Sequence, residues 1–266
     1  MRCILTGTDG FVGANLLLEL IDRGHEVDII NVDFSIKDYS EDFEERVSQT
    51  DVIFHVGAIS DVNLQDYNKM LKYNFYFSKI LFDLAKKYNK KVVYSSSSAI
   101  YGNGELPENI YAWSKYLAEE YGYSNCKKFV ALRYFNIYGP GEEHKDNMQS
   151  LVLRIYSSKV FGIFPVNASR DFIYVKDVVN ANLHAIDCES GIYDCGSGNS
   201  YKYEEICDTI GVKYYYTDKS DVPNGYQSYT RADKNKFLPD WKPQYTLQTG
   251  VEEYIKYLQK DSMFGN

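Results

Sequence analysis

The chain has 266 residues, 44% of them hydrophobic and 25% charged, enough for one large domain with a real core. Its net charge of −8 argues against a nucleic-acid binder, which presents a basic face, and no apolar run approaches the roughly 20 residues that cross a bilayer. Five scattered cysteines (Cys3, Cys126, Cys188, Cys195, Cys207) and four scattered histidines predict neither a disulfide frame nor a metal site; they suit a reducing, cytoplasmic compartment.

The apolar start is too short for a signal peptide, reads as a buried strand over residues 2–6, and runs straight into a glycine loop. An apolar-periodic helix follows over 11–23, closed by Gly24, then a second strand over 26–32. Residues 34–50 are polar and acidic, with room for one short helix. A third strand over 51–56, a long helix over 70–88, a fourth strand over 91–95, a helix over 112–123 and a fifth strand over 129–134 complete the alternation. That order predicts an α/β fold: a Rossmann-like, doubly wound parallel sheet built from right-handed βαβ units. Beyond Gly139 the pattern loosens into helices near 149–158, 176–188, 203–210 and 247–259 with short strand-like pieces between them. The expectation is a dinucleotide-binding domain over 1–140, rejoined by about 170–195, with 141–266 mainly a small C-terminal lobe for substrate.

Gly7, Gly10 and Gly13 spell G-x-x-G-x-x-G between the first strand and its helix. The glycines serve a tight turn, close backbone approach to a pyrophosphate, and close helix–strand packing. The backbone through Asp9, Gly10, Phe11 and Val12 then faces the diphosphate charge from a helix start. Asp33 ends the second strand, where a carboxylate binds the adenosine ribose, and Gly57-Ala58 lets the chain pass close to the dinucleotide.

Tyr111 and Lys115 are four apart, on one face of a helix. An ammonium near a phenol favours its phenolate, a general base toward a sugar hydroxyl. With 26 tyrosines in the chain the spacing arises easily by accident; its place behind the serines 95–98, at the carboxyl end of a parallel strand, makes it specific.

The glycine loop, the Ser…Tyr-x-x-x-Lys set, RYFNIYGP at 133–140 and RDFIYVKDV at 170–178 together resemble the extended short-chain dehydrogenase/reductases over nearly the whole chain. The resemblance implies Ser97 as the catalytic serine, Tyr111 as the acid/base and Lys115 as its partner. It also implies Asn74 and Ile137 beside the cofactor, and Asn136 and Arg170 toward the substrate. Sugar dehydratases of that family follow the serine with Asp-Glu, the decarboxylating relatives keep the glutamate, and fucose-synthase-like enzymes place a cysteine at the second position. Here those positions are Ser98 and Ala99, which leaves an epimerase or a simple dehydrogenase acting on a nucleotide-linked sugar.

The stretch 139–148, with His144, Lys145 and Met148 in register, is similar to the ADP-L-glycero-D-manno-heptose 6-epimerases, as is 225–233 with Tyr226. In that group the lysine at Lys145 is a second acid/base. Asn147 and Arg154 stand on the substrate side, where those enzymes favour a small hydroxyl residue and a histidine, and the segments 33–51 and 97–111 are compressed. Asp33 favours NAD, whereas Lys37 resembles a lysine that helps those epimerases hold NADP. The rival readings are a net sugar-nucleotide reductase and a non-catalytic dinucleotide-binding scaffold. The sequence leaves open whether the chain forms a homo-oligomer.

Overall fold

A computed structural model describes residues 1–30, 41–61, 64, 66–104, 106–222 and 227–264, with the side chains of 41, 146, 147 and 261–264 left aside. Apolar β-branched runs build the first strands, β1 (Arg2–Thr6), β2 (Glu26–Ile30) and β3 (Val52–His55). Helix α1 (Phe11–Asp22) connects the first two and α2 (Glu41–Gln49) precedes the third. The expected helix at 70–88 begins earlier, as α3 (Tyr67–Leu71), widens into a π turn at Lys72–Tyr76, and continues as α4 (Phe77–Lys87). Asp66 caps its start by accepting the Lys69 amide.

Then come β4 (Lys91–Ser97), α5 (Ile110–Asn125), β5 (Phe129–Tyr134) and the short β6 (Asn136–Tyr138). Helix α6 (Leu151–Tyr156) and strands β7 (Val160–Ile163), β8 (Ser169–Arg170) and β9 (Phe172–Tyr174) lead to α7 (Val175–His184) and β10 (Gly191–Cys195). The chain ends with β11 (Tyr201–Lys202), α8 (Tyr203–Ile210), β12 (Lys213–Tyr216) and α9 (Leu247–Phe264).

The main sheet runs β2-β1-β3-β4-β5-β10, with every pair parallel. From β1 the chain turns outward to β2 and then crosses to β3 on the other side. The carboxyl ends of β1 and β3 therefore flank a switch point, the crevice where such sheets bind ligands. Leu16 and Leu20 of α1 pack with Val178 and Val179 of α7 on one face; Phe43, Leu81, Phe82 and Ala118 cover the other. This is the doubly wound α/β sheet expected from the alternation. The later helices form a third core around Tyr138, Ile155, Tyr174, Ile206 and Tyr254.

Among the described residues no helix is long and apolar enough to cross a membrane. None of their His, Cys, Asp and Glu side chains form a group able to hold a metal.

Candidate active site

The switch-point crevice is a cleft of about 690 Å³. One wall is the glycine loop. Gly7 turns with φ +78°, and a Cβ there would sit 2.5 Å from the Gly57 Cα; a Cβ on Gly13 would sit 2.0 Å from the Gly7 carbonyl. These two positions need glycine for packing the loop against β3's exit and against α1. Gly10 caps α1 without any side-chain bond, so the first-turn amides of α1 are left for an anion. The donor set and the bare backbone wall fit a dinucleotide's diphosphate.

Gly7, Asp9, Gly10, Phe11, Val12, Gly13, Gly57, Ala58 and Ile137 all line this cleft, as do Ser97, Tyr111, Lys115, Asn136 and Lys145. The serine run divides its labour by strand alternation. Ser95 Oγ donates to the Val56 carbonyl, and Ser96 Oγ donates to Glu119 at 2.5 Å. Ser97 accepts the Ala99 amide at 3.2 Å and hydrogen-bonds Tyr111. Ser98 lines a second cleft of about 340 Å³, beside Tyr101, Arg231 and Lys236.

Asn109 caps α5 by accepting the Ala112 amide at 2.9 Å, which sets Tyr111 in the first turn with its ring in the cleft. Lys115, one turn on, lines the same cleft. Its Nζ donates to the Ser95 carbonyl at 2.7 Å and lies 5.0 Å from the centre of the Tyr94 ring. Burial pushes its pKa down to about 7, against Glu119, which raises it. Burial raises the Tyr111 pKa, opposed by the Ser97 hydrogen bond.

Lys145 sits in the turn at Glu143–Met148, with Nζ 5.2 Å from the Phe11 ring centre. Burial lowers its pKa and Glu142 opposes that shift. Glu142, fully buried, ties the loop together: its carboxylate accepts the Gly139 amide at 3.1 Å, Ser150 Oγ at 2.7 Å and the Ser150 amide. Asn15 Nδ2 donates to the Pro140 carbonyl at 2.9 Å, holding the same loop on α1. Neither Glu142 nor Asn15 figures among the residues expected from sequence. Asn15 left a signal, a lone amide within the apolar run of α1; Glu142, in an acidic pair on a loop, left none.

Other expected residues lie elsewhere. Asn74 is buried behind the cleft in the π turn; its amide accepts the Ile59 N–H and donates to the Ile59 carbonyl and to Ser114 Oγ. It reaches the cleft through Ile59, which lines it. Arg154 is exposed on α6, and Arg170 is buried with its guanidinium donating to the Ser169 carbonyl; neither lines either cleft. In the neighbouring position, Asp171 acts as a structural hub, accepting the amides of Ser197, Gly198 and Ala232. Asp33, Lys37, Tyr226 and the side chain of Asn147 lie outside the described residues.

Comparison with known proteins agrees with this geometry. Residues 3–196 match the NAD dependent epimerase/dehydratase family. The chain is 32% identical to an ADP-L-glycero-D-manno-heptose-6-epimerase of Brachyspira hyodysenteriae, over 97% of this chain and 98% of that one. The crystal structure of the Helicobacter pylori ADP-L-glycero-D-manno-heptose-6-epimerase superposes with a TM-score of 0.84 at 25% identity, covering 97% of this chain and 96% of that one. A UDP-N-acetylglucosamine 4-epimerase from Methanobrevibacter ruminantium M1, in complex with UDP-N-acetylmuramic acid, gives 0.82 at 26% identity over 96% and 98%. With its glycine loop, its Ser-Tyr-Lys cleft and its fold, the chain is an enzyme of the NAD dependent epimerase/dehydratase family, within the short-chain dehydrogenase/reductases.

Proposed function

We propose that the chain is a nucleotide-sugar epimerase, with an ADP-heptose inverted at C6 as its substrate. The observation that carries this reading is that two proton-carrying side chains, Tyr111 on α5 and Lys145 on a separate turn, line one cleft together with the glycine loop. A bound nicotinamide dinucleotide supplies the hydride acceptor and donor that no side chain provides. The chain's own groups do the rest. Ser97 Oγ holds the reacting sugar oxygen, and Tyr111 Oη takes the hydroxyl proton as the carbinol becomes a ketone. Lys145 Nζ, its pKa lowered by burial, returns a proton when the ketone presents its other face. Lys115, whose Nζ donates to the Ser95 carbonyl of β4, would hold the cofactor's ribose. The segments beyond residue 140, with the cleft at Arg231 and Lys236, cradle the nucleotide-linked part of the substrate.

NAD is the cofactor we assign, with Asp33 binding its free 2′-hydroxyl; Lys37 is the group that would favour NADP. Titration of both cofactors checks this, and Asp33→Ala should shift preference toward NADP.

The deciding experiment incubates the chain with ADP-L-glycero-D-manno-heptose and follows the C6 configuration by proton NMR and the cofactor by absorbance. The expected result is a mixture of the two C6 epimers with no net change in cofactor redox state. Steady consumption of reduced cofactor would replace this reading with a reductase. Dinucleotide binding with no turnover on any sugar nucleotide would leave a scaffold.

A further inference from the structure

Behind the cleft, His55 is fully buried, with both ring nitrogens on hydroxyl groups: Nδ1 lies 2.8 Å from Thr6 Oγ1 and Nε2 lies 2.7 Å from Ser78 Oγ. The neighbouring bonds fix the direction of each. Ser78 Oγ donates its one proton to the Asn74 carbonyl at 2.6 Å, so toward the ring it accepts, and Nε2 must carry a hydrogen. Thr6 Oγ1 accepts the Gly57 amide at 2.9 Å, which leaves its own proton for a bare Nδ1. Hydrogen bonds therefore run one way, from the Gly57 N–H through Thr6, His55 and Ser78 to the carbonyl of Asn74. From the side chain of the same asparagine the path continues through Ser114 Oγ to the Tyr111 carbonyl at 2.7 Å. One end is the backbone that lines the cofactor wall, and the other is the first turn of the helix that carries the tyrosine.

We propose that His55 is a positioning residue: as a neutral imidazole protonated at Nε2 alone, it ties the Gly57 wall to the Asn74 turn and so sets nicotinamide affinity from outside the cleft. The affinity claim rests on the cofactor assignment above. A charged ring would put a second hydrogen on Nδ1, so the Thr6 hydroxyl would have to accept from the ring and turn its own proton away, ending the one-way run of the chain. The surroundings oppose that charge. Phe77, Phe82 and Tyr94 pack around the ring at centroid distances of 5.6, 5.8 and 5.6 Å, and burial, with the Lys115 ammonium nearby, pushes the pKa down to about 3.

Two measurements on the full chain test this. Nitrogen-15 NMR of the histidine side chains, assigned by loss of a signal in His55→Gln, should show Nε2 protonated and Nδ1 bare throughout the neutral pH range. A charged ring, or a hydrogen on Nδ1, overturns the proposal. Ser78 lines neither cleft, yet Ser78→Ala should weaken NAD binding, measured by calorimetry, roughly three- to tenfold, the scale of one hydrogen bond. Thr6→Val should do the same, and the double variant should bind little worse than either, since both cut one chain. A Ser78→Ala protein that melts lower but binds NAD as tightly as the parent shows a merely structural role and also overturns the proposal. Should the parent chain itself bind no NAD, the cofactor assignment fails and takes the affinity claim with it, while the NMR result still decides the tautomer.

Discussion

At Lys115 the fold buries an amine whose pKa falls from 10.5 to about 7. Between those values the unfolded chain binds more protons than the folded one, so on this group's account stability rises as pH rises through the window. Below about 7 the amine is charged in both states and the cost is full. Lys115→Met should therefore flatten the rise of Tm from pH 7 toward 10.5 in the unliganded chain; identical slopes in both proteins would assign the folded amine an ordinary pKa. Tyr111 and Lys145 divide differently. Tyr111→Phe should abolish turnover while cofactor still binds. Lys145→Met should keep the first half-reaction, seen as cofactor reduction by substrate, and lose inversion by about 10²-fold or more. An inverting Lys145→Met enzyme at the parental rate would leave Tyr111 as the single proton carrier. The pairing of Tyr111 and Lys115 was legible in the sequence, because spacing on a helix and the position after a parallel strand are local facts, whereas Lys145 on its loop was reached only through the resemblance of 139–148 to a known group of enzymes. What Lys115 bonds was not legible, because its partner is a backbone carbonyl of β4, which no residue pattern encodes.

The glycine loop shows how an element acquires a function through packing. Gly13 lies in α1, yet its missing Cβ is what lets the helix close on the Gly7 carbonyl. Gly13→Ala must move backbone, since the atom it meets at 2.0 Å is not a side chain that can swing away. The expected outcome is a cofactor affinity at least about tenfold weaker, read by calorimetry, with β1 and its neighbours intact by circular dichroism. Unchanged affinity would show that the loop relaxes freely. The helix at 70–88 was legible as a helix but not as one with a π turn. Apolar periodicity reports a face, and a one-residue widening at Lys72–Tyr76 leaves that face nearly unchanged while turning Asn74 inward. The compressed segment before β3 carries α2, the one short helix that its polar composition left room for.

Over the whole molecule, the three cores are joined rather than strung out. β6 pairs with β9 beside the main sheet, and α7, between β9 and β10, packs on α1. Trp241, far along the chain, packs with Leu238 into the first core and donates to Asn180 of α7 at 3.0 Å. The alternation of strands and helices made the sheet legible, whereas this joining depends on contacts between residues far apart in sequence, such as Asp177 accepting the amides of Gln244 and Tyr245. The third core, around Ile155, Tyr174, Ile206 and Tyr254, is thus tied to the sheet by these contacts, and the chain should melt in one transition, with circular dichroism and tryptophan fluorescence coincident. Two separated transitions would make the later segments an independent domain. The cleft lies where both halves of the sheet meet, so a ligand there stabilises the folded state as a unit. At a hundredfold excess over Kd, NAD should add about 2.7 kcal/mol. At about 2–4 °C per kcal/mol for a chain of this size class, that moves the whole transition up by roughly 5–10 °C. In Gly13→Ala the same NAD concentration should move it much less, since the loop proposed to hold the diphosphate is the part disturbed. An equal shift in parent and variant would place NAD somewhere other than the glycine loop.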